Sequence, residues 1–223
     1  MIHISQTQKI RAASWSLEAL FTCPAAIISG SLKSGVYELA DACKGCYAIG
    51  GNYRYPNVKK PRIANRQDWK RDDWVDDMVE ELDSHRYFRW FDSGDCYDLR
   101  LALKILAVMA ATPHCRHWIP TRQHKFKKFT NVLNNMESLP NVTVRLSSDS
   151  VLGGILATEL PNTTIIPTPE DATLEMSVCK SYENEGQCGK CRDCWNSDIK
   201  TIAYIAHGRS MAKVIKIKLL EVA

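Results

Sequence analysis

No stretch of this sequence is apolar for long enough to make a membrane-spanning helix. Its first residues, Met1 to Trp15, hold no apolar segment followed by a small-residue cleavage site. These two absences lead us to expect a cytoplasmic protein with no membrane association. Equally missing are a glycine-rich phosphate loop, a Ser-His-Asp nucleophile elbow and a His-Glu-x2-His helix, so simple kinase or hydrolase chemistry has no support. No Pro/Gly/Ser linker, low-complexity segment or short repeat divides the chain, and one α/β domain over residues 1–223 is expected. A hydrophobic content of 45% fits a packed globular protein and excludes disorder. The net charge of +4 is mild and demands no anionic partner.

What the chain does have is cysteine. There are nine, an odd number, which rules out complete internal pairing. In a reducing compartment clustered thiols point to metal or redox chemistry rather than to disulfides. The strongest cluster is Cys179-x8-Cys188-x2-Cys191-x2-Cys194. Three cysteines at successive two-residue gaps let a tight loop wrap its thiolates around one small inorganic object, with the fourth reaching in from upstream. Gly186 and Gly189 supply the backbone freedom for wrapping. Four thiolates satisfy either a tetrahedral zinc or a [4Fe–4S] cluster. Cys-x2-Cys-x2-Cys favours iron–sulfur, because structural zinc more often uses two separated Cys-x2-Cys knuckles. A second group, Cys23 with Cys43-x2-Cys46, supplies three thiolates. Three ligands on a four-iron cluster leave one iron open. The alternatives are a zinc site completed by a histidine, or a turn that contributes to the other site. Cys96 and Cys115 lack such neighbours and read as small buried hydrophobes.

Periodicity places these groups. Residues 64–84 read as one amphipathic helix, with Trp69, Val75, Met78, Val79 and Leu82 on one stripe. Strands are expected around Ala13 to Leu17, Tyr87 to Phe91, His117 to Ile119, Val142 to Leu146, Thr163 to Ile166 and Ile202 to Ala206. Helices are expected at 97–111 and around Phe126 to Met136. Ile215, Ile217 and Leu219 alternate with lysines and read as a last edge strand. Strand and helix in alternation predict a mainly parallel sheet: a partial (incomplete) TIM-like barrel or a curved open sheet, with the cysteine-bearing loops at its C-terminal face.

The segments TCPAA and CKGCYA near the start, RWFDSGDCYD in the middle, and CGKCRDCW followed by IAYIAHG resemble the phage family called gene product 88-like. That resemblance implies a phage-encoded protein acting in the cytoplasm of the bacterial host. The order of elements also looks distantly like the radical S-adenosylmethionine barrel, whose motif is Cys-x3-Cys-x2-Cys. Here Cys43 and Cys46 fit the last two positions and Leu39 stands at the first, so Cys23 would have to replace it from a distance. A Gly-Gly-Glu segment for the cofactor's amino group is also missing, with Asp92-Ser93-Gly94-Asp95 in its place. Both departures argue against S-adenosylmethionine binding even if the barrel is inherited.

Asp92, Ser93 and Asp95 end a strand and are candidates for binding a substrate, a cation or a ligand amine; the alternative is a helix cap, for which Asp95 is better placed. Arg122 and His124, with Lys125, Lys127 and Lys128 close behind, suggest a basic rim for phosphate or nucleic acid, or a solvated face. His207 precedes Gly208 at the end of a strand and could be a ligand or a donor to cluster sulfur. Two functions follow. One is an iron–sulfur protein serving a small molecule or a host redox partner, as an enzyme or an electron carrier. The other is a zinc-stabilised module binding nucleic acid or a host factor through Lys59–Arg71 and Arg122–Lys128.

Overall fold

The computed structural model describes residues 1–7 and 9–222. Strands β1 (Ile4–Thr7) and β2 (Ala12–Trp15) pair antiparallel, with Ile4 opposite Trp15. A separate antiparallel hairpin follows, β3 (Ile27–Ser31) and β4 (Val36–Leu39), and then the short helix α1 (Asp41–Lys44). Helices α2 (Pro56–Asp68) and α3 (Trp74–Leu82) lead into β5 (Tyr87–Trp90). Next come α4 (Leu99–Ala111), β6 (Arg116–Thr121), α5 (Thr130–Glu137) and β7 (Val142–Ser147). The chain ends with β8 (Asn162–Ile166), β9 (Met176–Val178), β10 (Thr201–Ile205) and α6 (Arg209–Val222).

The main sheet has eight strands in the order β1-β2-β5-β6-β7-β8-β10-β9, and every pair except β1 with β2 is parallel. The mainly parallel α/β arrangement is thus as expected. Among the described residues the sheet does not close, and β1 and β9 are its edges.

Alternation along each strand sends neighbouring side chains to opposite faces. One face carries Ala13, Trp15, Phe88, Trp90, Ile119, Val142, Val144 and Leu146, packed against Trp74, Met78 and Leu82 of α3, Leu101 and Ile105 of α4, and Leu133 and Met136 of α5. The indoles of Trp15, Trp74 and Trp90 meet edge-on or tilted at 5.3–6.4 Å, within the range of favourable aromatic contact. Within this apolar layer His117 accepts from Trp90 Nε1 at 3.3 Å and pairs with Thr112 Oγ1 at 2.9 Å. Burial holds its pKa down at about 4. The opposite face, which we call the open face, presents Ala12, Tyr87, Arg89, Trp118, Arg145 and Tyr204.

Three expectations need correction. The helix expected over 64–84 is two helices, α2 and α3, broken at Trp69–Asp73. Trp69 and Trp74 are both buried on either side of the break. Lys104 donates to the carbonyls of Trp69 and Arg71, which satisfies the end of α2, and Arg71 gathers Asp68, Asp73 and Asp77 around the turn. The final edge strand is the helix α6. Its Met211, Val214 and Ile215 pack on Ala42, Val151 and Ile165, a three-to-four-residue period that outweighs the alternation of Ile215, Ile217 and Leu219 with lysines. Three strands and a hairpin partner were also missed: β1, β3, β4 and β9 are short and mostly exposed or half-buried, and so carry little apolar signal.

Candidate metal centre

The connection from β9 to β10, residues 179–200, crosses the open face. Its start is tied where Cys179 N–H donates to Ala203 O of β10 at 2.9 Å. Its middle is tied where Cys188 N–H donates to Lys9 O at 2.8 Å. The far end is pinned by two side chains. Arg145, fully buried on β7, donates to the carbonyls of Asp193, Cys194, Asn196 and Ile199 at 2.6–3.1 Å. Trp195 is buried edge-on against Tyr87 and Trp118, and its indole donates to Phe88 O at 3.0 Å. Gly186 and Gly189 both adopt positive φ, as the wrapping requires.

Along this pinned loop Cys179, Cys188 and Cys194 are half-buried and Cys191 is exposed, all four as free thiols. They lie within electrostatic reach of one another. Burial raises the pKa of Cys188, Cys191 and Cys194, and Cys179 raises each further. Cys194, at about 11, is partly relieved by a contact with the Tyr204 hydroxyl at 3.5 Å and by Arg145.

The hairpin of β3 and β4 explains how Cys23 meets Cys43 across twenty residues of sequence. Ala40 N–H donates to Ala26 O at 2.8 Å at the hairpin's base, so the chain leaves close to where it entered. Cys23, Ala26, Ala40 and Cys43 form one small apolar cluster. Cys46 follows through a turn in which its N–H donates to Cys43 O at 3.2 Å. Burial pushes all three thiols up; at Cys23 the Asp95 carboxylate adds to it, and Cys46 and Cys43 add further. The arm that carries Cys23 rests on Gly94, whose φ is +79° and whose missing Cβ would stand 2.6 Å from both Leu17 Cβ and Thr22 Oγ1.

Most of the other candidates spend their polar atoms on the fold. Asp95 accepts from Cys96 N–H, Thr121 Oγ1 and Arg122 N–H, tying the ends of β5 and β6 together; the cap of α4 is Asp98. Ser93 Oγ accepts from Arg62 and donates to Leu17 O. Asp92 Oδ2 accepts from Arg62 at 2.7 Å and from Tyr53 at 3.1 Å, while its buried Oδ1 has no partner among the described residues. Arg122 is held by Asp149 and by Ser148 O, beside Cys43. His207 is exposed and bonded to the Tyr182 hydroxyl, which places it beside the Cys179 loop. Cys96 and Cys115 are buried in the apolar layer, as expected.

The family model Gene product 88 matches residues 3–197, most of the chain. The chain belongs to that family. No curated protein matches the chain, and no solved structure does. The Gene product 88 match contains both cysteine groups, every strand but β10 and every residue named here on the open face except Tyr204; His207 and α6 fall beyond it. The residues that sequence reasoning overlooked in this region are Arg89, Arg145, Trp118 and Trp195. A signal for the two arginines was present: each interrupts a buried apolar strand, Arg89 between Phe88 and Trp90, Arg145 between Val144 and Leu146. A charge at such a position needs a partner on the far face of the sheet.

Proposed function

We propose that this Gene product 88 protein is a phage-encoded iron–sulfur protein of the bacterial host cytoplasm. Cys179, Cys188, Cys191 and Cys194 hold a [4Fe–4S] cluster, and Cys23, Cys43 and Cys46 hold a second metal centre with one coordination position left open. The observation that carries the reading is the loop 179–200, which Arg145 and Trp195 pin across the open face with four free thiols, three of them within electrostatic reach of Cys179. Thiols that raise one another's pKa gain most from a bound cation, which favours every thiolate at once. Among the described residues no three His, Cys, Asp or Glu side chains converge tightly enough to hold a single metal ion. The preference for iron–sulfur over zinc rests on the Cys-x2-Cys-x2-Cys spacing.

The surroundings support the same choice. Arg89 and Arg145 both lie near Cys194, and such positive charge suits an anionic cluster. The basic stretches of the rival nucleic-acid reading are largely neutralised within the fold: Arg62 by Asp92, Arg66 by Glu18, Arg71 by three aspartates, Arg122 and Lys125 by Asp149. The run β2-β5-β6-β7-β8 stands side by side in chain order, the order of a β/α barrel left open. That order supports the incomplete-barrel part of the proposal, with a small molecule or a host redox protein as the partner. S-adenosylmethionine is left out, since Leu39 replaces the first motif cysteine.

Anaerobic purification with visible absorption and iron, sulfide and zinc analysis tests the proposal. Brown protein with matched iron and sulfide supports it, and more than four irons per chain implicates the N-terminal trio. Colourless protein that carries zinc after anaerobic reconstitution would sink it.

A further inference from the structure

Between the two cysteine groups the open face carries a pair of polar groups that neither group accounts for. Arg89 on β5 and Trp118 on β6 are register partners in the sheet. The guanidinium stacks over the indole, 4.7 Å from its centroid. Both Arg89 Nε and Trp118 Nε1 are buried, and neither has a hydrogen-bond partner among the described residues. Stacking satisfies the face of the ring and leaves both in-plane N–H groups unused. A buried donor left unpaired costs about 1–3 kcal/mol, and folded proteins keep few of them. Trp15 Nε1, Trp74 Nε1 and Arg192 Nε are buried and unpaired among the described residues as well; what sets Arg89 and Trp118 apart is that they are register partners on adjacent strands and one of them is charged.

The other arginines of this region differ. Arg145 spends its guanidinium on four carbonyls, Arg62 on Asp92, Ser93 and Val58 O, and Arg122 on Asp149 and Ser148 O. Arg89 has the Tyr47 hydroxyl within hydrogen-bonding reach of its guanidinium, with Asp92 and Tyr204 nearby; Asp92 already has its Oδ2 taken by Arg62 and Tyr53, and Arg89 Nε stays unpaired among the described residues. What the pair can bind follows from its chemistry: two donors, one positive charge and an aromatic wall made of Trp118 with Trp195 behind it. An acceptor with negative charge completes both donors, and a guanidinium with an indole N–H suits an oxygen anion.

We propose that Arg89 and Trp118 form an oxyanion subsite, which takes the carboxylate or phosphate group of a small ligand lying between the two cysteine groups. The subsite needs no iron at either group and stands on its own geometry, although it would put a ligand within reach of the open coordination position proposed above.

Isothermal titration of the full-length protein with inorganic phosphate, and separately with malonate, tests this, with iron and sulfide assayed in the same sample. The expected result is one saturable site for at least one of the two anions, and the preference between them separates a phosphate ligand from a carboxylate. Trp118→Phe keeps an aromatic ring under Arg89 but removes the indole N–H together with the five-membered ring, and is expected to weaken binding about tenfold. Arg89→Met is expected to abolish it. Where Arg89→Met fails to fold, Trp118→Phe decides alone, its fold checked by a cooperative thermal melt. No saturable binding of either anion, or an affinity unchanged in folded Trp118→Phe, overturns the proposal. Because the titration does not depend on colour, it can fail while the cluster assay succeeds, and the reverse.

Discussion

The two faces of the main sheet are made from the same strands, one residue out of step, and they are different materials. The helix-bearing face is dry: Phe88, Trp90, Ile119, Val144 and Leu146 are at most 4% exposed and meet only apolar partners and one neutral histidine. The open face holds arginines, tyrosines and thiols, and is covered by an irregular loop tied down by Arg145, Trp195 and two backbone hydrogen bonds. The lesson is that stability and chemistry are segregated by strand alternation. Substitutions on one side should change how well the protein folds, and those on the other what it binds.

The largest break in that division would come from Trp74→Ala on α3. Its fully buried ring packs on Trp15 and Trp90, and losing it should cost about 4 kcal/mol in urea unfolding. The iron bound per folded molecule should stay unchanged; a proportionate loss of iron would refute the segregation. Acid should act on the same face. Unfolded histidine takes up a proton as pH falls through 6.5, whereas buried His117 does so only near 4. Stability should therefore be intact above pH 6.5 and fall by about 3 kcal/mol as pH drops to 4, with His117→Gln flattening the profile.

Arg145→Met crosses the divide. It leaves four carbonyls without their donor and should cost about 2–3 kcal/mol, and, unlike Trp74→Ala, it should also lower iron content by freeing the loop. The smallest effect on folding should come from Cys191→Ser, since the side chain is exposed: within about 0.5 kcal/mol for the metal-free protein. Yet it should remove the colour of the C-terminal cluster. Iron and sulfide per chain undiminished from the unsubstituted protein in Cys191→Ser would exclude Cys191 as a ligand.

The dry face was legible because burial imposes a pattern: Val142, Val144 and Leu146, or Phe88 and Trp90, announce their strands. The Cys179–Cys194 spacing was legible because four thiols so close in sequence leave few other uses. What stayed hidden was held by distance. Nothing in residues 27–39 tells that a mostly exposed hairpin closes and returns the chain from Cys23 to Cys43. The acidic turn at Asp92–Asp95 reads as a mouth for substrate, but Asp95 and Ser93 brace neighbouring strand ends, and only contacts across the fold reveal that. Ile215 and Leu219 fit a strand and a helix equally well, and the surface formed by Ala42 and Val151 decided for α6.

The position of β10 carries a consequence for the order of assembly. Among the described residues β9 pairs only with β10, which is made later and inserts between β9 and β8. Cys179 takes its backbone partner from β10 as well, and Lys200, where the loop ends, bonds to β8. During synthesis all four loop cysteines therefore emerge before the strand that fastens both ends of their loop. Until that strand is made and docked, the loop has only its attachments to parts of the chain made earlier, among them those through Arg145, Phe88 and Lys9. Docking of β10 is then the last step that fixes both ends of the cysteine loop.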